Sequence, residues 1–248
     1  MLDAVAGHDP ADPDSSRRPA VDHLDALRRP ADGLRVGVQR RHLDAGADLD
    51  AVAAFEEAVS VLARCGCVLT EAVVPLYEEM QAATMVVNSA ESFAYHPQRP
   101  ARPLGGVRAV RSHAARRWCA AVRRRRRPGD RVRRAGVRRL HDLFARVDVV
   151  VSPTTTRPAP SYESVFQVGL MGLFDRIHTA YWNGAGTPVV ALPIGFTGDG
   201  LPLSMQIAAP PFADAVALRV AHAYQQATAW HREAPPLEVD QQRPGGSA

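Results

Sequence analysis

A chain of 248 residues is long enough to bury a full single-domain core. It holds no apolar run long enough to span a bilayer and its N-terminus is acidic and polar, so a membrane-spanning class is excluded and a cytoplasmic location is expected. The formal charge of +4 conceals a division: Arg99–Arg139 holds 16 Arg against one acid, Asp130, while the rest holds 14 Arg against 25 acids.

Met1–Ala6 reads as the end of a helix, and Gly7–Gly33 as a loop rich in proline and aspartate. His8, Asp9 and Asp12 have metal-ligand chemistry, but Asp-Pro pairs are ordinary turn formers, so no metal is assigned to them. Leu34–Val38 is a strand. Asp50–Arg64 is a helix with Val52, Phe55, Val59 and Leu62 on one face. Gly66 ends it, and Val68–Val74 is the next strand, which gives a right-handed βαβ unit and a parallel pairing. Cys65 and Cys67 then read as a helix end and the first residue of a buried strand. With Cys119 they make an odd count, which gives no disulfide framework, and no second pair completes a zinc site. Leu76–Tyr95 is a helix with a stripe of Leu76, Met80, Ala83, Val87, Ala90 and Ala94. Its methionines suit a pocket wall or a helix core, and the core is preferred; Glu91 and Ser92 face solvent.

Arg99–Arg139 follows no secondary-structure period, and a helix-like pattern resumes over Val137–Val147. Val149–Val151 is a strand ending in Ser152-Pro153. Phe174–Asn183 reads as a helix carrying Ile177 and Tyr181. Val189–Phe196 and Leu203–Ile207 are strands. Asp214–Thr228 is a helix with Asp214 at its positive end and a stripe of Val216, Val220, Tyr224 and Ala227. From His231 the chain is a Pro- and Gln-rich tail, expected to be disordered. No internal repeat is visible.

The stretch from Asp148 to Asp214 is the most informative. Its strand end Ser152-Pro153-Thr154, the turn Asn183-Gly-Ala-Gly186-Thr-Pro188, the exit Pro193-Ile-Gly195 and Gly200-Leu-Pro202 leading to Gln206 resemble the C-terminal half of the amidase signature family. Leu2–Pro13 resembles that family's segment past its nucleophile. The resemblance implies an α/β fold, a partial mixed and largely parallel sheet flanked by helices. It implies one amidase-like domain over 1–230, interrupted by the anomalous segment 99–139 and followed by the tail 231–248. The implied activity is hydrolysis of a carboxamide C–N bond, without a cofactor, in a small-molecule amide. Such enzymes use a serine nucleophile, a relaying serine, a lysine base and a Gly/Ser-rich oxyanion loop, all upstream of the matched region. This chain has no lysine: all 30 of its basic residues are Arg. A guanidinium does not release its proton near neutral pH, whereas a desolvated lysine can. The expectation is therefore a truncated fragment with no catalytic residue of its own, inactive unless an upstream piece completes it. A piece resembling the A subunit of a tRNA-dependent amidotransferase is the alternative within the family, and a homo-oligomer is compatible with either.

Three readings apply to Arg99–Arg139. It binds nucleic acid through its charge, it is a solvated disordered insertion, or it is read out of frame between two compensating frameshifts. The frameshift is preferred, because the Arg/Ala/Pro/Gly bias is that of a GC-rich gene in the wrong frame. Nucleic acid is disfavoured because no helix or sheet is expected to carry the charge and only Trp118 could stack on a base. Among single residues, Ser152 sits at a strand end without a nucleophile-elbow setting. His178 lies near Asp175 and Tyr181 but has no nucleophile beside it, which favours a structural role. Gly184–Gly186 is too short to cradle phosphates. Asn183, Gly186 and Thr187 are the best substrate-pocket candidates, since the family places this turn near its cleft.

Overall fold

The computed structural model describes residues 2–13, 15–19, 21–43, 46–95, 113–168 and 177–235, with the side chains of 92–95, 113–126 and 166–168 left aside. In chain order the elements are α1 (Leu2–Val5), α2 (His23–Leu27), β1 (Arg35–Val38), α3 (Leu49–Arg64), β2 (Val68–Glu71) and α4 (Tyr77–Tyr95). There follow α5 (His113–Phe144), β3 (Val149–Pro153), α6 (Tyr162–Val168), α7 (Ala180–Ala185), β4 (Val189–Phe196), β5 (Pro202–Ala208) and α8 (Asp214–Ala227), then a 3₁₀ turn at Trp230–Arg232.

The βαβ unit forms as its pattern predicts. Asp48 caps α3, its carboxylate accepting the amides of Asp50 and Ala51 at 3.0 and 3.3 Å, which satisfies two donors that the first turn leaves open. Phe55 and Leu62 are fully buried on the inner face, each contributing about 1.5–3 kcal/mol. Gly66 breaks the helix at φ +85°, in the left-handed region where a side chain is strained. β1 then pairs in parallel with β2, Val36 opposite Leu69, and on its other side with β3, Val36 opposite Val149.

The five strands run in the order β2-β1-β3-β5-β4. The first three are parallel; β5 pairs antiparallel with both β3 and β4, Gln206 lying opposite Ser152 and Ala191. Because successive side chains of a strand point to opposite faces, β3 feeds two cores. Val149 and Val151 pack with Phe55 and Leu62 of α3 and with Val220 and Tyr224 of α8. Val150 packs with Met80 of α4, Leu140 and Leu143 of α5, and Tyr181 and Trp182 of α7. The result is the mixed, mostly parallel sheet flanked by helices that the resemblance implies.

Several expectations need correction. Residues 113–144 lie within one helix although Arg99–Arg139 shows no period, and Pro128 sits inside it. Up to Gly136 its packed side relies on glycine, and Leu140, Leu143 and Phe144 carry it beyond: a Cβ on Gly129 would meet Ala83 and Val87 at 3.5 and 3.6 Å, and one on Gly136 would stand 2.3 Å from Met80 Sδ. Hydrophobic spacing cannot reveal a face made of glycine. α2 interrupts the expected Gly7–Gly33 loop, capped by Asp22, whose side chain accepts from Asp25 N. The expected helix over 174–183 begins only at Ala180, and Ile177 instead bridges Thr155 in extended conformation. β2 stops at Glu71 rather than at residue 74. α6 fills a stretch with no expected element. In α8 the buried residues are Ala217, Val220, Ala221 and Tyr224, while Ala227 is exposed: alanines carry the contact and turn the face by about one residue. Residues 99–112, 169–176 and 236–248, with the expectations made for them, lie outside the described residues.

Candidate active-site cleft

A cavity of about 1020 Å³ opens between α4, α5 and the segment leading into α7. α4 contributes one wall because its first turn and its midpoint both point there: Tyr77, Gln81, Thr84 and Asn88 follow each other at helical spacing. Gln81 fixes the opposite wall. Its Oε1 accepts the amide of Tyr181 at 3.0 Å and its Nε2 donates to the carbonyl of Ile177 at 3.4 Å. Gly184 allows the close approach of α7, since a Cβ there would stand 1.9 Å from Thr84 Oγ1. The carbonyl of Gly184 accepts from Arg133 Nε at 2.9 Å, which brings one arginine of the basic block into the cleft wall.

The floor is a buried polar and aromatic cluster. His178 is 5% exposed, and its ring stacks on His42 with centroids 4.5 Å apart and planes 11° from parallel. His178 Nδ1 and the Tyr77 hydroxyl lie 3.0 Å apart, and Nε2 is buried with no hydrogen-bond partner among the described residues. Burial, and secondarily the charge of His42, push the His178 ring down to about 4, so it is neutral at neutral pH. Tyr77 stacks on Tyr181 at 5.3 Å, and burial raises both phenols above their ordinary range. The Tyr181 hydroxyl donates to the Pro75 carbonyl at 3.0 Å. Beneath them Gln206 ties three segments together: its Nε2 approaches Ser152 Oγ at 3.0 Å, the His178 carbonyl at 3.1 Å and the Pro153 carbonyl at 3.3 Å. Gln206 sits on β5 opposite Ser152, so sheet register alone places this buried clamp.

Of the three pocket candidates the structure brings only Asn183 to the cavity, on its exposed rim. Gly186 is the left-handed C-cap of α7 at φ +69°, its amide donating to Trp182 O at 2.9 Å; its glycine serves the turn. Thr187 lies just before β4, its Oγ1 buried with no partner among the described residues, and neither it nor Gly186 lines the cavity. Ser152 is 6% exposed and hydrogen-bonded to Gln206, a clamp contact rather than an activated hydroxyl. Asp175 lies outside the described residues; among the described residues His178 has Tyr77 and His42 beside its ring. Cys65 and Cys67 donate to the carbonyls of Ala223 and Ala31 at 3.6 and 3.7 Å, and burial pushes the Cys67 thiol up to about 11. Asp9 turns its carboxylate back on the amide of Ala11 at 2.8 Å. No group of three or more His, Cys, Asp or Glu placed to hold a metal occurs among the described residues. No described helix is long and apolar enough to cross a membrane.

Sequence reasoning does not find Arg133, Gln81 or Thr84. Arg133 is one arginine among sixteen; its only distinguishing signal is Gly136, three residues on, where α4 comes close. Chemically the cleft offers amide, hydroxyl and guanidinium groups around a neutral imidazole. That set, with the carboxylates of Glu78 and Glu91 also on the lining, can bind and orient a polar planar group. The Tyr77 hydroxyl is paired with the His178 imidazole, but burial raises the phenol and lowers the ring, so neither is activated for attack.

A family model described as Amidase matches residues 1–218. The A subunit of glutamyl-tRNA(Gln) amidotransferase from Azotobacter vinelandii is 32% identical over 262 residues, covering 95% of this chain and 53% of the relative. The protein of the same name from Geobacter metallireducens is 28% identical, covering 94% of this chain and 53% of the relative. Among solved structures, the same enzyme component from Thermotoga maritima superposes with a TM-score of 0.73 at 23% identity, covering 89% of this chain and 48% of that one. 6-Aminohexanoate cyclic dimer hydrolase superposes with a TM-score of 0.73 at 22% identity, covering 95% and 53%. At such identities these structures establish the fold. The chain spans about half the length of the curated relatives it matches.

Proposed function

Since this chain belongs to the amidase family, we propose that it is the cleft-bearing half of an enzyme that hydrolyses a carboxamide C–N bond, and that these 248 residues alone do not turn over. The observation that carries this reading is the absence of lysine from a chain matched to the family over residues 1–218. In the reaction a serine hydroxyl attacks the carboxamide carbon as its proton passes to a base. The C–N bond breaks, the amine leaves with a proton, and water releases the acyl group. The serine, the relay, the base and the oxyanion donors come from outside this sequence. What this chain supplies is the wall against which the small-molecule amide lies: Gln81, Asn183 and Arg133 to orient it, and the aromatic floor of His178, Tyr77 and Tyr181 to keep water out.

A second reading within the family is a piece resembling the A subunit of a tRNA-dependent amidotransferase, releasing ammonia from an amide for its partner proteins. The names of the relatives at 28% and 32% identity support it. Either reading fits a cytoplasmic protein and allows a homo-oligomer. The frameshift reading of 99–139 is retained for the part before Arg127. From Gly129 onward the fit of glycines against α4 supports the intended frame, and the coding DNA decides the rest.

Co-expression with the portion of an amidotransferase relative that this chain does not cover tests the reading. The expected result is a co-purifying pair that releases ammonia from a simple carboxamide, silenced when the lysine base of the donated portion is replaced. A pair that assembles and remains silent contradicts it.

A further inference from the structure

The arginines of α5 divide between opposite faces. At 3.6 residues per turn, Arg127, Arg131, Arg134 and Arg138 fall within an arc of about 60° and rise about 16 Å along the axis. All four are exposed. Diametrically opposite lie the buried Gly129, Gly136, Leu140 and Leu143, with Arg133 directed to the Gly184 carbonyl. Asp130 is engaged by Arg133 at 3.7 Å. Asp142, four residues after Arg138, is exposed. Among the described residues none of the four arginines is placed in an ion pair. Like charges three and four residues apart repel each other, so the fold gains nothing from grouping these four exposed arginines on one face.

We propose that this row is a docking surface for the phosphate backbone of double-stranded nucleic acid, a role independent of the amide chemistry. Arginine matches phosphate with a planar, bidentate fork, and a straight row over three turns suits a straight, uniformly charged partner. A lipid surface is a poorer fit. Interfacial helices insert large apolar side chains, yet the opposite face of α5 is used up against α4, and the exposed Val137 lies about 90° from the centre of the row by helical geometry. A single strand is a poorer fit because such sites stack bases on aromatic rings, and the one Phe, Tyr or Trp within residues 127–144, Phe144, is buried in the core. The sequence argues against nucleic acid because nothing regular is expected to carry the charge; α5 removes that objection.

The test uses the full chain and a mixed-sequence RNA duplex of about 20 base pairs, with affinity measured against salt. Joint substitution Arg127→Gln, Arg131→Gln, Arg134→Gln and Arg138→Gln is expected to reduce the slope of log K against log salt by about 3–4, since each phosphate neutralised contributes about 0.9. Affinity at low salt falls at least about tenfold. Far-UV circular dichroism stays unchanged and the unfolding midpoint does not fall, because the four side chains are exposed and their loss relieves like-charge repulsion. An equal loss of charge at the exposed Arg28, Arg29, Arg64 and Arg232 leaves the slope nearly as in the parent. The other arginines of the basic block contribute equally to both variants, so the comparison isolates the row. The proposal is overturned if the row variant keeps the parental slope, or if the control variant loses as much. It is also overturned if phosphatidylserine vesicles or polyglutamate bind more tightly than the duplex at the same ionic strength.

Discussion

Replacing Gly184 with alanine is expected to lower the thermal midpoint by about 5–10 °C, from an overpacking cost of about 2–3 kcal/mol. The new methyl would stand 1.9 Å from Thr84 Oγ1 and 3.2 Å from Thr84 Cβ. Thr84 cannot simply swing its hydroxyl aside without cost, because that hydroxyl donates to the Met80 carbonyl at 2.8 Å, and rotation still leaves Cβ too close. α7 must therefore move away from α4. That strains the Gln81–Tyr181 and Arg133–Gly184 hydrogen bonds that shape the cleft. Adding Thr84→Ala removes the first obstacle and should recover most of the loss. Gly186→Asn two residues later is expected to cost less than about 1 kcal/mol, because asparagine tolerates the left-handed region and nothing lies within 4 Å of that site. Scanning calorimetry of the four proteins separates these outcomes; an unchanged midpoint for Gly184→Ala would refute the close contact of α4 and α7.

Acid should weaken the fold by roughly 2–4 kcal/mol between about pH 6.5 and pH 4, through His178. Its folded-state ring is pushed down to about 4, while in the unfolded chain it titrates near 6.5. Between those values the unfolded chain binds a proton that the folded chain refuses, so stability is fully present above the upper limit and drains away below it. The cause is local: the ring lies beneath the cleft, stacked on His42, with the Tyr77 hydroxyl on one nitrogen and its backbone carbonyl held by Gln206. Asp148 acts lower on the scale. Its carboxylate is held below its ordinary value chiefly by hydrogen bonding to Arg35, so its contribution persists through this window and is lost only as pH falls through that depressed value. Urea unfolding at a series of pH values should show a slope that His178→Gln largely removes. An equal slope in parent and variant would assign the acid lability elsewhere.

The parts of the fold that sequence makes legible are those where large apolar residues carry the contact. Phe55, Leu62, Met80 and Val87 repeat at helical spacing, the β3 valines form a short buried run, and Gly66 marks a helix end by its backbone need. α5 before Val137 is hidden for the opposite reason: its packed side uses Gly129 and Gly136, its other side is charge, and Pro128 interrupts the local preference for helix. Alanine contacts in α8 displace the expected stripe by one position. In the cleft, the Asn183-Gly-Ala-Gly186 turn is recognisable, but spacing cannot say which of its residues faces the cavity. Asn183 does; Gly186 serves the helix end, and Thr187 belongs to the approach to β4. Arg133 and Gln81 are invisible because their roles depend on partners 51 and 100 residues away along the chain.

The most direct measurement is amide turnover by the purified 248-residue chain, followed as ammonia released from a simple carboxamide. No release above the buffer blank is predicted, at any pH where the chain stays folded, because no lysine is present to take the proton from a hydroxyl. Turnover that travels with this polypeptide through successive purification steps, and disappears on its specific depletion, would contradict the account.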